Sequence, residues 1–489
     1  MKKSIALITA VVLVFCFAFV YENSETPKMS LFASNSAVLI KKDERRFDGA
    51  QTFDEVAYKY EDLIKYIKES LDNQKETINL RTYNITIDDL NIIITYIINS
   101  GYFYINSGYS YKSDGKYVIS FNPDYFMTSD KVQQYNAEIN SVINDVAAKA
   151  SSFKNNIEKL IYIHNYIVEN IEYAEKEDNA INNLYGALVL KKTMCVGYSQ
   201  AFCRIAERAG FKTYVVSSEK LNHAWNMVNL NGEYYFVDCT WDDPVFDKIN
   251  LSDDPLSGYG CYEYFMCSEE LFVKDKHNAS DYLVNGENVM GVVSSKAYDD
   301  FFWRDYESLM RYSNGSWYHD YSHSGDTVSF PSDVKFSIDK LTFADNKNYD
   351  KKTVRTIKAC WKYDNQFYIE FNSTLQNIDG FLYYFKPDGI YRLDEDGRFN
   401  GKSDLLIFEN PTNESIYDFD IDTENGKFTV IYGRAYEYTD NNGTKKEYDI
   451  SDYFCKVQEH QYVLDEEIES SGDKLYICSA CKNTMKEVA

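Results

Sequence analysis

Three side chains in one stretch of the 489-residue sequence have the types that thiol chemistry needs: Cys195, His223 and Asp238. An imidazole can take the proton of a thiol, and a carboxylate can hold that imidazole in the right tautomer and stabilise its charge. The sulfur can then attack an amide carbonyl and carry the acyl group as a thioester. The order Cys, His, Asp is common by chance in a chain of this length. Its meaning depends on the elements that carry it.

Cys195 stands where a helical pattern begins. Tyr198, Ala201, Phe202, Ile205, Ala206 and Ala209 follow at helical spacing, and Gly210 is placed as the stop. A thiol at a helix N-terminus meets the positive end of the dipole and unpaired amides, which favour the thiolate. Gly197 would let the backbone approach a substrate closely. Beyond the helix, extended runs are predicted for Lys212 to Ser218, Ala224 to Leu230 and Glu233 to Cys239. Asn231-Gly232 between the last two is a strong tight-hairpin signal. A two-residue turn pairs Leu230 with Glu233 and therefore aligns Trp225 with Asp238. His223 shares a strand face with Trp225, so it lies diagonal to Asp238 and within hydrogen-bond reach. A one-residue slip would send the two to opposite faces.

At these residues a family resemblance is plain. The runs CVGYSQAF, NHAWNMV and EYYFVDCTWDDP resemble the transglutaminase-like superfamily, particularly its bacterial members. The resemblance extends upstream through KLIYIHNYIVENIEYA and LYGALVLKKTMC, and downstream to YEYFMCSEELF, over roughly residues 135 to 285. It implies an α+β, papain-like transglutaminase core, with Cys195 on a helix packed against a sheet that carries His223 and Asp238. It also implies acyl chemistry on peptide or protein amides, of the cysteine peptidase or transglutaminase type, with no cofactor for catalysis. Family members include catalytically dead relatives, but all three matching positions are intact here. The paired CxxC motifs that precede the nucleophile in peptide N-glycanases are missing, as is the calcium motif of animal transglutaminases.

Around this core the sequence predicts further parts. Lys2 and Lys3 precede an apolar run from Ile5 to Tyr21, which reads as a signal peptide or N-terminal anchor over 1–21. The protein is therefore expected to be secreted or at the cell surface. Residues 22–47 read as a flexible stem and 48–130 as a small α+β module, with helical stripes up to Leu71 and from Ile87 to Ile98, then a hairpin turning near Gly115. The catalytic domain is expected over 131–290, with helices over Tyr135 to Lys154 and Ile157 to Ile171. From about Trp303 onward, short Tyr- and Phe-rich runs broken by Gly, Asn and Asp predict an all-β region over 296–452, as propeller-like blades or a sandwich.

The tail, 453–489, holds Cys455, His460, Cys478 and Cys481, a set that can bind a tetrahedral structural zinc; a Cys478–Cys481 disulfide or loose thiols are the simpler readings. A net charge of −25 argues against a nucleic-acid partner. The expected partners are peptide, protein or cell-wall peptide substrates, with membrane contact only through the N-terminal segment. Ten cysteines, nine without Cys16, leave at least one free thiol in an exported chain. Tyr198, Trp225 and Trp241 join Gly197 as candidates for the substrate groove. His164, on an apolar stripe, reads as a core histidine, and Cys203 and Cys239 as buried thiols. Cys261 and Cys267 are a candidate pair, and His277 is expected only to pack near the groove. A second functional class also fits: a surface binding or adhesion protein whose thiol domain is vestigial.

Overall fold

The amphipathic stripes of the sequence become helices, and each stripe is the buried face. The computed structural model describes residues 18–20, 28–30, 59–100, 105–125, 128–174, 182–243, 260–274, 277–285, 287–306, 308–322, 335–358, 375–378, 380–386, 388–393, 404–412, 415–422, 427–433, 444–449, 462–468, 473–478 and 484–487. The chain forms two units, Met1–Asp243 with Glu263–Arg304, and Pro244–Tyr262 with Asp305–Ala489. The expected signal or anchor over 1–21 and the stem over 22–47 lie outside the described residues, apart from β1 (Ala18–Val20) and β2 (Lys28–Ser30). No helix among the described residues is long and apolar enough to cross a membrane.

In the first unit, α1 (Glu61–Asp72), β3 (Ile78–Asn79), α2 (Ile87–Asn99), β4 (Ile105–Ser113) and β5 (Val118–Tyr125) form the small module. Its sheet has the order β1-β2-β4-β5-β3. Thr86 and Asp89 close a capping box at the start of α2. Leu63, Ile67 and Leu71 of α1 meet Leu90, Ile93 and Ile97 of α2 in a core that includes Tyr109 and Phe121. Each such aliphatic side chain contributes about 1.5–3 kcal/mol through burial.

The chemistry-bearing part follows in the same unit. Its elements are α3 (Ser129–Ser151), α4 (Asn156–Asn170), β6 (Glu172–Tyr173), α5 (Leu184–Leu188), β7 (Lys192–Thr193) and α6 (Cys195–Arg208). Then come β8 (Thr213–Ser218), β9 (His223–Leu230), β10 (Glu233–Val237), β11 (Phe265–Cys267), α7 (Glu269–Phe272), β12 (Leu283–Val284) and β13 (Glu287–Asn288). An antiparallel sheet of order β11-β10-β9-β8-β12-β13 packs one face against α6, where Cys195, Val196 and Cys203 meet Val215 and Ala224. Asn226 ties the layers together by donating to the Ser199 carbonyl at 2.9 Å. The opposite face, with Trp225, Met227 and Phe236, packs on Tyr264, Phe272 and Tyr282.

The hairpin register is the one the turn requires. Leu230 pairs with Glu233 and Asn226 with Val237. Asn231 and Gly232 both have positive φ, 56° and 92°, the geometry that makes Asn-Gly favourable in a two-residue turn. Gly210, at φ 96°, ends the Cys195 helix.

Every described regular element of the second unit from Arg311 on is a strand. The strands form antiparallel meanders: β14 (Arg311–Ser313), β15 (Ser316–Ser322), β16 (Lys335–Phe343) and β17 (Tyr349–Lys358); then β18 (Gln376–Ile378), β19 (Phe381–Lys386), β20 (Gly389–Leu393) and β21 (Asp404–Glu409). Next are β22 (Ser415–Asp422), β23 (Lys427–Gly433) and β24 (Thr444–Asp449), and finally β25 (Tyr462–Ile468), β26 (Asp473–Cys478) and β27 (Thr484–Glu487). The second and third meanders share a core through Tyr383, Phe385, Phe408, Phe419 and Phe428. Of the expected zinc set, Cys478 is buried at the end of β26, while Cys455, His460 and Cys481 lie outside the described residues.

Candidate active site

Cys195 opens α6 and is 1% exposed. Met194 before it offers no side-chain cap, the first turn has no acidic residue, and Arg208 sits in the last turn. No acidic side chain of the first turn thus offsets the positive end of the helix at the sulfur. The Gly197 amide is taken by Asn182 Oδ1 at 3.1 Å.

His223, at the start of β9, places its Nε2 2.5 Å from Asp238 Oδ2. The Cys195 side chain lies near enough to His223 to raise its affinity for a proton. Because Nε2 is committed to Asp238, Nδ1 is the ring nitrogen left to serve the sulfur. Asp238 follows β10 and is fully buried. Its Oδ1 accepts from the Thr240 amide at 3.0 Å and the Trp241 amide at 3.2 Å. Burial pushes the Asp238 carboxyl up, but the charge and hydrogen bonds of His223, then those of His277, outweigh it and hold the group well below the usual carboxylate range. Burial likewise disfavours the charged form of His223; the adjacent Asp238 carboxylate overrides it and pushes the imidazole up to about 10. The arrangement favours a protonated imidazole between a sulfur and a carboxylate.

Three of the four groove candidates are interior residues. Trp225 is fully buried, packed among Phe236, Phe272 and Tyr282, because a second layer covers that face of the sheet. Tyr198 is 1% exposed, and its hydroxyl lies within hydrogen-bond distance of the Ile171 carbonyl, at 2.7 Å, and of the Asp243 carboxyl. Gly197 answers to the protein's own packing rather than to substrate. A Cβ there would fall inside contact distance of Thr193 Oγ1 and within 2.8 Å of the Asn183 carbonyl. Trp241 alone of the four is substantially exposed, at 36%.

His164 is fully buried, with Nε2 2.9 Å from Asp242 Oδ2, so it is a satisfied core histidine. Burial pushes the Cys203 and Cys239 thiols up, in keeping with buried, unreactive sulfurs. No disulfide joins Cys261 to Cys267, so the candidate pairing is not made.

Two residues were not assigned to the site from sequence. His277 donates from Nε2 to Asp238 Oδ2 at 2.8 Å. Half-buried Tyr173 pairs across β6 and β7 with Thr193, two residues before Cys195, and burial first, then the nearness of Cys195 and Asp238, pushes its phenol up to about 12. The short parallel pairing of β6 with β7 was the missing signal for Tyr173. His277 had none beyond its position after the YEYFMCSEELF run. One ring nitrogen each of His223 and His277 and a carboxylate oxygen of Asp238 lie within 4.8 Å of one another, close enough to share a cation. Two N–H···O bonds already join these three side chains, so hydrogen bonding accounts for the cluster.

Residues 144–239 match the transglutaminase-like superfamily. The kyphoscoliosis peptidase of Mus musculus is 28% identical over 152 residues, covering 28% of this chain and 22% of that protein. Kyphoscoliosis peptidase of Homo sapiens is 28% identical over 155 residues, again 28% of this chain and 22% of that protein. The chain thus spans 22% of the length of either relative. A crystal structure of a TGase is similar over 30% of this chain and 47% of that one, at 16% identity and a TM-score of 0.20.

Proposed function

We propose, from the match of residues 144–239 to the transglutaminase-like superfamily, that this chain is a thiol acyl enzyme acting on amide groups of peptides or proteins, with Cys195, His223 and Asp238 as its triad. The observation that carries this reading is the 2.5 Å bond from His223 Nε2 to Asp238, which leaves the other ring nitrogen to the sulfur.

In the proposed reaction the Cys195 thiolate attacks the amide carbon, and the carbonyl π electrons move onto oxygen. The Cys195 amide at the start of α6 serves as one donor to that oxyanion. Collapse re-forms the carbonyl and expels the amine, which takes its proton from the His223 imidazolium. The acyl group is now a thioester on Cys195. Water or a primary amine then gives a proton to His223, attacks the thioester carbon, and releases the thiolate. Asp238 keeps the ring oriented and its charge compensated throughout.

Similarity to a protein named as a peptidase supports hydrolysis of peptide bonds. The Lys2-Lys3 pair and the apolar run behind it support export, which would present cell-wall peptides as well as proteins. The test is incubation with a peptide library and a labelled primary amine, read by mass spectrometry, with Cys195→Ala as control. Cleaved peptides indicate a peptidase, and amine-bearing products indicate transamidation. Equal turnover by wild type and Cys195→Ala would overturn the reading and favour a surface binding protein with a vestigial thiol domain.

A further inference from the structure

We propose that His277 is a positioning residue of the thiol site, locking Asp238 in the orientation that serves His223. The proposal rests on the reading of Cys195 as the nucleophile.

Asp238 Oδ2 accepts two imidazole N–H groups, from His223 at 2.5 Å and from His277 at 2.8 Å. Oδ1 accepts the two backbone amides of Thr240 and Trp241. The carboxylate therefore has two donors on each oxygen, which fills its acceptor sites. Rotation about its Cβ–Cγ bond would break several of these at once. Without His277, the Oδ2 end is tied only to the ring it is supposed to steer.

His277 is built to hold still. It is 1% exposed and its ring lies against Phe272, with centroids 3.9 Å apart, and Tyr264 at 4.8 Å. The Tyr282 hydroxyl donates to its backbone carbonyl. Its Nδ1 is buried and has no hydrogen-bond partner among the described residues. A proton on Nδ1 would be a buried N–H with no acceptor, so the ring's proton belongs on Nε2, facing Asp238. A histidine present only to fill an aromatic box would leave both nitrogens without a polar target. This one aims a donor at the carboxylate.

Gln can supply an N–H where His277 Nε2 stands, whereas Phe supplies only the ring. The experiment compares iodoacetamide alkylation of Cys195 in the full chain for wild type, His277→Phe and His277→Gln, with Cys203 as internal reference and thermal unfolding to verify folding. Wild-type Cys195 is expected to react faster than Cys203. His277→Phe is expected to slow Cys195 by at least about 10-fold, the scale on which outer hydrogen-bond partners act; His277→Gln should recover most of that. Wild-type rates in His277→Phe would overturn the proposal while leaving the nucleophile reading intact. Equal slowing in both variants would also overturn it, since packing would then be the whole role. A wild-type Cys195 no faster than Cys203 would overturn the nucleophile reading itself. Should His277→Phe fail to fold, nitrogen-15 spectra of histidine-labelled wild-type protein decide: a proton on Nε2 supports the proposal, and one on Nδ1 refutes it.

Discussion

Trp241 stands edge-on to His223, with ring centroids 6.0 Å apart and planes at 82°. Its backbone amide meanwhile holds Asp238 Oδ1. One residue thus anchors the carboxylate with its main chain and shields the imidazole with its side chain. Because the indole is 36% exposed, removing it should cost little stability. Trp241→Ala is expected to lower kcat/KM by about 10-fold, because water then reaches the ion pair and weakens it. Steady-state kinetics with a turned-over peptide, alongside a thermal melt, tests this. An unchanged kcat/KM would mean that the indole does not shield the ring.

Asp238→Asn places a buried amide where two imidazole donors converge. An amide has one acceptor oxygen and two N–H donors, so either the two histidine N–H groups or the backbone amides of Thr240 and Trp241 must face a donor. The result is a misoriented His223 ring and the loss of its compensating charge. A drop of roughly 10⁴-fold in kcat is expected, the scale seen when a triad carboxylate is neutralised. Single-turnover thioester formation measures it directly. A loss below 10-fold would show that Asp238 does not orient the ring.

The hairpin was legible because its rules are local. Asn231-Gly232 demands positive φ at two successive residues, and period-two alternation then carries the register out to His223 and Asp238. The helix start at Cys195 was legible for the same reason. Trp225 was misplaced because alternation gives the face a residue occupies, not what covers that face. Its cover is Phe272 and Tyr282, supplied by chain well beyond the hairpin. Gly197 was read toward substrate because a missing Cβ does not say which neighbour needs the space; here it is Thr193 of β7. His277 lies 39 residues from Asp238, and no local pattern joins them.

The pH dependence follows from the sign of each shift. The folded value for His223, about 10, lies above its ordinary 6.5, so protonation favours the native state. That stabilisation is complete below pH 6.5 and is lost as pH rises through about 10. Asp238 is held below its ordinary 3.8, so its contribution is complete above 3.8 and is lost as pH falls through the folded value. The pair is therefore at full strength between pH 3.8 and 6.5, and persists at neutral pH. The alkaline limb of kcat/KM is expected near pH 10, where the leaving amine loses its proton donor. A limb near 6.5 instead would mean that Asp238 does not hold the imidazolium.

Gly197→Ala tests how the sulfur is placed. The added methyl meets Thr193 Oγ1 and the Asn183 carbonyl, and neither a short strand nor a helix-capping backbone can yield cheaply. The first turn of α6 must shift, and Cys195 is in that turn. Overpacking of this kind costs about 1–3 kcal/mol of stability, measured by urea unfolding. Because a displacement of 1 Å at a reacting atom can cost about 100-fold in rate, activity should fall further than that stability loss explains. Gly197→Ala combined with Thr193→Ser or Thr193→Ala, which thin out the contacting side chain, should recover part of both losses. If Gly197→Ala keeps full stability and full rate, the glycine is not required by this packing, and close backbone approach to a substrate becomes the better reason for it.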